Sequence, residues 1–200
     1  EIKDRDVLPE FKINSGKGGE VFKETDANKG KPHPYFQLAK DAGSETQKAF
    51  EYSKLAAASP VKHKSSNGGK VSVSPFTDTR VDELTGNYKV AVTIADNYDA
   101  KIELRATLNP DIVKVKNPDY LIDKKLAERK SPQGINLKNL FKKAVKQGAK
   151  KLVLDLQNNK RTFDEIKIET ERIMNGKAYT EIKEVYVISK NRKRIELVKR

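Results

Sequence analysis

Asp119, Glu128 and Lys130 are the side chains of this 200-residue chain whose types and spacing can do phosphoryl chemistry. They stand in the segment Asn117–Pro132, N-P-D-Y-L-I-D-K-K-L-A-E-R-K-S-P. It reads as two short strands, Tyr120–Asp123 and Leu126–Lys130, around a turn at Lys124-Lys125. That turn pairs Asp123 with Leu126, Leu121 with Glu128 and Asp119 with Lys130. Side chains alternate faces along a strand, so Asp119, Glu128 and Lys130 share one face of the hairpin. Two carboxylates can hold Mg²⁺, which takes carboxylate, water and phosphate oxygens. An ammonium beside them can polarise a water or offset charge growing on a scissile phosphate. The same three residues also suit a plain cross-strand ion-pair ladder, common in a chain that is 34% charged.

Charge distribution points the same way. The net charge is +13, and the first hundred residues balance at 15 basic and 15 acidic side chains. The second hundred hold 26 basic and 13 acidic, so the whole excess lies there. Such an asymmetry is the footprint of a polyanion binder, although solubility alone also favours high net charge. The candidate nucleic-acid contacts are Arg129, the lysine face Lys138, Lys142 and Lys146 of one helix, Gln147 at that helix's edge, and Arg192 and Arg194 in a basic turn near the end.

Other chemistries are excluded or weak. The chain has no cysteine, which removes disulfides, thiolate catalysis and Cys-bearing zinc sites. No run of eighteen apolar residues is present, so no membrane partner is expected. His33 and His63, the two histidines, read as solvated loop residues. Gly16-Lys17-Gly18-Gly19 and Asn67-Gly68-Gly69-Lys70 do not match a Walker A loop and read as flexible turns.

The elements that must position the site follow from periodicity. The fold expected is α+β (mixed α/β), a central mixed sheet flanked by helices over residues 71–200. Residues 1–70 read as an irregular N-terminal region with one short helix, begun by a capping box at Ser44–Gln47 and followed by a flexible connection over 59–70. Leu84, Tyr88, Ala91, Val92 and Ala95 predict an amphipathic helix over 80–98, and Lys101–Arg105 a strand. Asn136 is placed to cap a helix burying Leu137, Leu140, Phe141, Ala144 and Val145. Leu152–Leu156 reads as a central buried strand. Thr162 caps a helix with Ile166, Thr170, Ile173 and Met174 inward, closed by Asn175-Gly176, and two strands, 184–189 and 194–199, end the chain.

Pro118-Asp119 followed nine positions on by Glu128-Arg129-Lys130 resembles the metal-dependent PD-(D/E)XK nuclease motif. The longer order is more specific. A helix with Asn87, Ala91 and Ala95, a strand, N-P-D-Y-L-I-D, E-R-K-S-P, a Lys-rich helix with Gln147, and L-V-L-D-L resembles the C-terminal nuclease domains of bacterial contact-dependent-inhibition and related polymorphic toxins. It also resembles the barnase/colicin/RelE-like nuclease domains of phage and mobile-element proteins. The resemblance covers a little over a third of the chain. It implies a toxin-type endoribonuclease, acting on tRNA or other RNA rather than DNA, with Mg²⁺ or no metal and an immunity protein as partner. Asp119, Glu128 and Lys130 would be catalytic, with Asp119 and Glu128 the metal ligands. The place of action would be the cytoplasm of the producing or target bacterium, delivered within a larger secreted or phage-associated protein. The alternative is a non-catalytic nucleic-acid-binding or structural module. Two departures stand out: Lys124 or Lys125 occupies a turn where relatives often carry Gly, and the second half has no histidine to serve as a base.

Overall fold

The computed structural model describes residues 11–13, 20–22, 43–77 and 80–200. Among them are five helices, α1 (Ser44–Ala56), α2 (Val81–Asn97), α3 (Pro110–Val113), α4 (Lys138–Lys146) and α5 (Phe163–Asn175). The strands are β1 (Phe11–Ile13), β2 (Glu20–Phe22), β3 (Val61–Lys64), β4 (Lys70–Val73), β5 (Lys101–Leu104), β6 (Tyr120–Ile122), β7 (Lys125–Lys130), β8 (Lys151–Asp155), β9 (Glu184–Ile188) and β10 (Ile195–Lys199). β1 and β2 form a small antiparallel ribbon. The other eight make one mixed sheet in the order β10-β9-β8-β7-β6-β5-β4-β3, as a mixed α/β fold requires.

Two hydrophobic clusters, one on each face, hold the sheet. Val71, Ile102, Leu104, Tyr120, Ala127 and Val153 pack with Leu84, Val90, Ala91 and Ile94 of α2. Leu152, Leu154, Val185 and Val187 pack with Phe141 and Ala144 of α4 and Ile166, Ile173 and Met174 of α5. β8 alternates between them, and all five of its residues are buried, as a central parallel strand demands. α5 opens on the expected capping box, Thr162 with Glu165, and ends at Asn175 before Gly176.

Several expectations are corrected. The connection over 59–70 is not a flexible linker: it contains β3, and the sheet therefore begins at Val61. Its Asn67-Gly68-Gly69 turn is held tightly against α2. Gly68 sits at φ +98, and a Cβ on Gly69 would lie 2.2 Å from the Ala95 carbonyl oxygen. Val71 and Val73 do alternate with serines in β4, but the run is only four residues long, and β3 offers a single apolar residue, Val61, beside the Ser/Asn/Gly turn. His63 is likewise no loop residue. It lies in β3, with Nε2 2.6 Å from Asp96 Oδ1 of α2. His33 and Gly16–Gly19 fall outside the described residues. α1 is capped by Gly43, whose carbonyl accepts from Gln47 N, so the proposed Ser44 cap position is already helical. Asn136 does not cap α4. The N-cap is Leu137, itself fully buried, so core packing rather than a side-chain cap fixes the start of that helix.

Candidate active site

The β6–β7 turn decides where the carboxylates stand. Its two central residues are Asp123 and Lys124, both left-handed at φ 49 and φ 65, one position earlier than the expected Lys124-Lys125. Tyr120 accordingly pairs with Ala127 and Ile122 with Lys125. Two successive left-handed residues are the mark of a type I′ hairpin turn, which normally selects Asn-Gly. Asp123 tolerates the conformation because its Oδ1 accepts from Lys101 N at 2.9 Å. Moving a two-residue turn by one position shifts the pairing by two, so the faces are unchanged. Continuing the register by one step sets Asp119 opposite Glu128, with Lys130 two positions beyond on the same face.

β7 presents its residues to opposite sides of the sheet. Glu128 and Lys130 align with Leu152 and Leu154 of β8, while Arg129 aligns with Val153 on the α2 side. Lys130 Nζ donates to Glu128 Oε1, and Glu128 Oε2 is buried with no hydrogen-bond partner among the described residues. Asp119 lies just before β6, at the end of the sheet, where its carboxylate is reached from two elements. Oδ2 accepts from the Arg129 main-chain N–H at 2.8 Å, and Oδ1 accepts from Asn87 Nδ2 of α2 at 3.4 Å.

The electrostatics set this corner apart. Burial pushes the Asp119 carboxyl above the usual carboxylate range, against the pull of the Arg129 N–H and the Lys130 charge. Burial also raises Glu128, the negative charge of Asp119 raises it further, and Lys130 opposes both. Carboxyls raised by burial beside a cation are the kind of group that proton transfer uses. A third carboxylate, Glu83 of α2, adds to the upward pressure on Asp119 and lines with it, Asn87 and Arg105 a cavity of about 260 Å³ that Glu128 and Lys130 do not line.

The other expected contacts are scattered by the fold. Arg129 is not available to a phosphate. Its guanidinium lies on the α2 side, with Nη2 2.8 Å from Asp155 Oδ2 and Nη1 3.1 Å from Asn87 Oδ1. Arg192 also turns inward, to Asp155 Oδ2 at 3.3 Å and Gln157 Oε1 at 2.9 Å. Arg194 stacks over Phe163 and pairs with Asp164 and Glu196. Lys138, Lys142 and Lys146 are exposed along α4. Gln147 is the C-cap of α4, beside the Gly148 turn that packs on Leu126 at the other end of β7 from Lys130. Glu83 was not singled out in the sequence, and Asn87 entered only as part of the toxin resemblance, with no role at the site. An acid and an amide one helical turn apart, on the helix that precedes β5, are the signal that could have linked them.

Residues present fit a hard divalent cation in part. Asp119 and Glu128 offer oxygen donors, one of them buried and without a partner. Among the described residues no three His, Asp or Glu side chains are grouped to hold a metal by themselves, so waters and phosphate oxygens would have to complete the shell.

The fold is a mixed α/β sheet with Asp119, Glu128 and Lys130 at the ends of its central strands, and comparison with known proteins adds to this description. Residues 116–194, from just before the site through β6–β9, match the family model of the contact-dependent growth inhibition CdiA C-terminal domain. Of the three resemblances read from the sequence, the match falls on the contact-dependent-inhibition toxins. Among solved structures, the chain is similar to a CdiA-CT/CdiI toxin and immunity complex from Burkholderia pseudomallei. The likeness is 23% identity at a TM-score of 0.45, over 62% of this chain and 89% of that one. No curated protein matches the chain. No helix among the described residues is long and apolar enough to cross a membrane.

Proposed function

We propose that this chain is the toxic nuclease domain of a contact-dependent-inhibition system and that it hydrolyses phosphodiester bonds, in RNA such as tRNA rather than in DNA. The observation that carries the reading is the placement of Asp119, Glu128 and Lys130 at the adjoining ends of the central strands β6 and β7, with Glu128 Oε2 buried and without a partner among the described residues. Glu128, whose carboxyl is raised by burial and by the charge of Asp119, takes the proton of the attacking water. The water oxygen bonds to phosphorus, the bond to the leaving nucleotide oxygen breaks, and that oxygen is protonated from solvent. Lys130, partly exposed beside Glu128, offsets the charge that builds on the phosphate. Asp119 and Glu128 are the residues to hold Mg²⁺, which when bound supplies charge neutralisation at the phosphate. The exposed Lys138, Lys142 and Lys146 track the backbone of the bound strand. An immunity protein in the producing cell is part of the same proposal, supported by the family match over residues 116–194.

The test incubates purified chain with total tRNA and with plasmid DNA, each with Mg²⁺ and with EDTA. Cleavage of tRNA with intact plasmid is expected. Cleavage of plasmid alone would move the substrate to DNA, and no cleavage in any arm would remove the enzymatic reading.

A further inference from the structure

We propose that Asn87 is a positioning residue for the nuclease site, orienting Asp119 through an amide whose direction is fixed by the Arg129–Asp155 pair; this rests on the catalytic reading above. A polar residue on the inward face of α2 is itself unusual. Asn87 is 9% exposed and stands in line with Leu84, Val90, Ala91 and Ile94, where an apolar side chain would extend the core. A buried amide must find partners, and here each partner has a defined polarity.

The Asn87 Oδ1 atom receives Arg129 Nη1 at 3.1 Å; the Tyr120 hydroxyl lies 3.3 Å from it, with its single proton shared with the nearer Asn87 main-chain carbonyl at 3.0 Å. A guanidinium has no lone pair to accept with, so the amide atom facing it has to be oxygen. The amide nitrogen is thereby turned to Asp119 Oδ1. The reversed amide would set N–H against guanidinium and oxygen against carboxylate, two repulsive contacts at once. Arg129 is in turn fixed by Asp155, which is fully buried and takes Arg129 Nε at 3.3 Å and Nη2 at 2.8 Å. Gly86 makes room for this. A Cβ there would meet Arg129 Nη1 and Nη2 at 2.9 Å. The path therefore runs Asp155, Arg129, Asn87, Asp119. Arg129 closes it by also donating its main-chain N–H to the other Asp119 oxygen. Charged and titratable groups bearing on Asp119 are Glu83 from α2, Glu128, Arg129 and Lys130 from β7, and Arg105, which lines the adjoining cavity.

The substitution Asn87→Asp tests this with almost no change of shape. It keeps the acceptor toward Arg129 and replaces the donor facing Asp119 by a second acceptor. The new carboxylate gains Arg129 as partner, so the melting temperature should stay near the wild-type value. The Arg129 main-chain N–H donates to the other oxygen of the same carboxyl and so reports its orientation; its amide NMR signal should move in Asn87→Asp while the amides of β9 stay in place. The rate of RNA cleavage should fall about tenfold or more while affinity for the RNA changes far less, because the carboxyl is misplaced rather than lost. Asn87→Ala removes the donor without adding charge and should move the same amide and slow cleavage, which keeps the test alive if the aspartate variant fails to fold. An Arg129 amide unmoved in both variants, or an unaltered cleavage rate, overturns the proposal. If the wild-type chain cuts no nucleic acid, the nuclease reading fails separately, and the Arg129 amide alone decides whether Asn87 holds that carboxyl.

Discussion

The main chain of Arg129 donates to Asp119 Oδ2 at 2.8 Å, while its side chain leaves for the opposite face of the sheet to pair with Asp155 at 2.8 Å. One residue thus ties the candidate catalytic carboxylate to the buried polar core. The pleat of β7 makes this possible, because it sends Glu128 and Lys130 to one side and Arg129 to the other.

Asp119 and Glu128 should lower the stability of the protein that uses them. Both carboxyls lie above their ordinary range in the fold, so the folded chain binds protons more readily than the unfolded one. Their ionised forms are then a cost at neutral pH. That cost is relieved as pH falls through the raised values and is gone once both states are protonated. Glu128→Gln is expected to melt higher than the wild type at pH 7, with the gap closing toward pH 4, and to lose cleavage. Thermal melts across that range check the sign; a variant less stable than the wild type at pH 7 would contradict it.

Asp155 is the counterion of two buried or half-buried guanidiniums, Arg129 and Arg192, and is itself fully buried. Removing one member of such a cluster leaves uncompensated charge, at a cost of roughly 3–5 kcal/mol. Asp155→Ala should therefore destabilise by about that amount in urea unfolding. Arg192→Ala should cost less, because Arg129 remains to pair the carboxylate. Equal losses from the two would mean that Arg129 does not hold Asp155 alone.

Gly86 offers a test in which two effects oppose each other. Helix propensity favours Ala over Gly by about 1 kcal/mol. The Cβ, however, would lie 2.9 Å from two guanidinium nitrogens, and overpacking a fixed core costs roughly 1–3 kcal/mol. The expected result for Gly86→Ala is a net loss of stability with slower cleavage, as Arg129 is pushed away from Asn87. Urea unfolding and a cleavage assay read both. A more stable, fully active variant would show that the guanidinium is free to move.

Much of the C-terminal half was legible in the sequence because its signals are local. Thr162 and Glu165 announce α5, the all-apolar run after Lys151 announces a central strand, and Leu137, Phe141 and Ala144 repeat at helical spacing. The common face of Glu128 and Lys130 also came through, since both lie on β7 two positions apart, whereas Asp119 stands before β6 with its carboxyl bonded to Asn87 on the α2 side. The turn itself did not, because Asp123-Lys124 carries no glycine to mark two left-handed residues. The β3–β4 hairpin was missed although Val71 and Val73 alternate with serines, because β3 carries only Val61 as an apolar residue and the Ser/Asn/Gly turn reads as a connection. The inward roles of Asn87 and Arg129 were not readable at all. They arise from packing between α2 and β7, residues 42 positions apart in the chain.

The central claim is that one corner of the sheet cuts a phosphodiester bond, and single-turnover cleavage with separately measured binding tests it most directly. RNA cleavage by wild type, Asp119→Asn, Glu128→Gln and Lys130→Met is followed at saturating protein, with affinity for the same RNA measured by titration. Each substitution is expected to slow cleavage by about 100-fold or more while affinity changes far less, in keeping with the loss of general-base and electrostatic terms. Wild-type rates in all three variants, or losses fully explained by weaker binding, would contradict it.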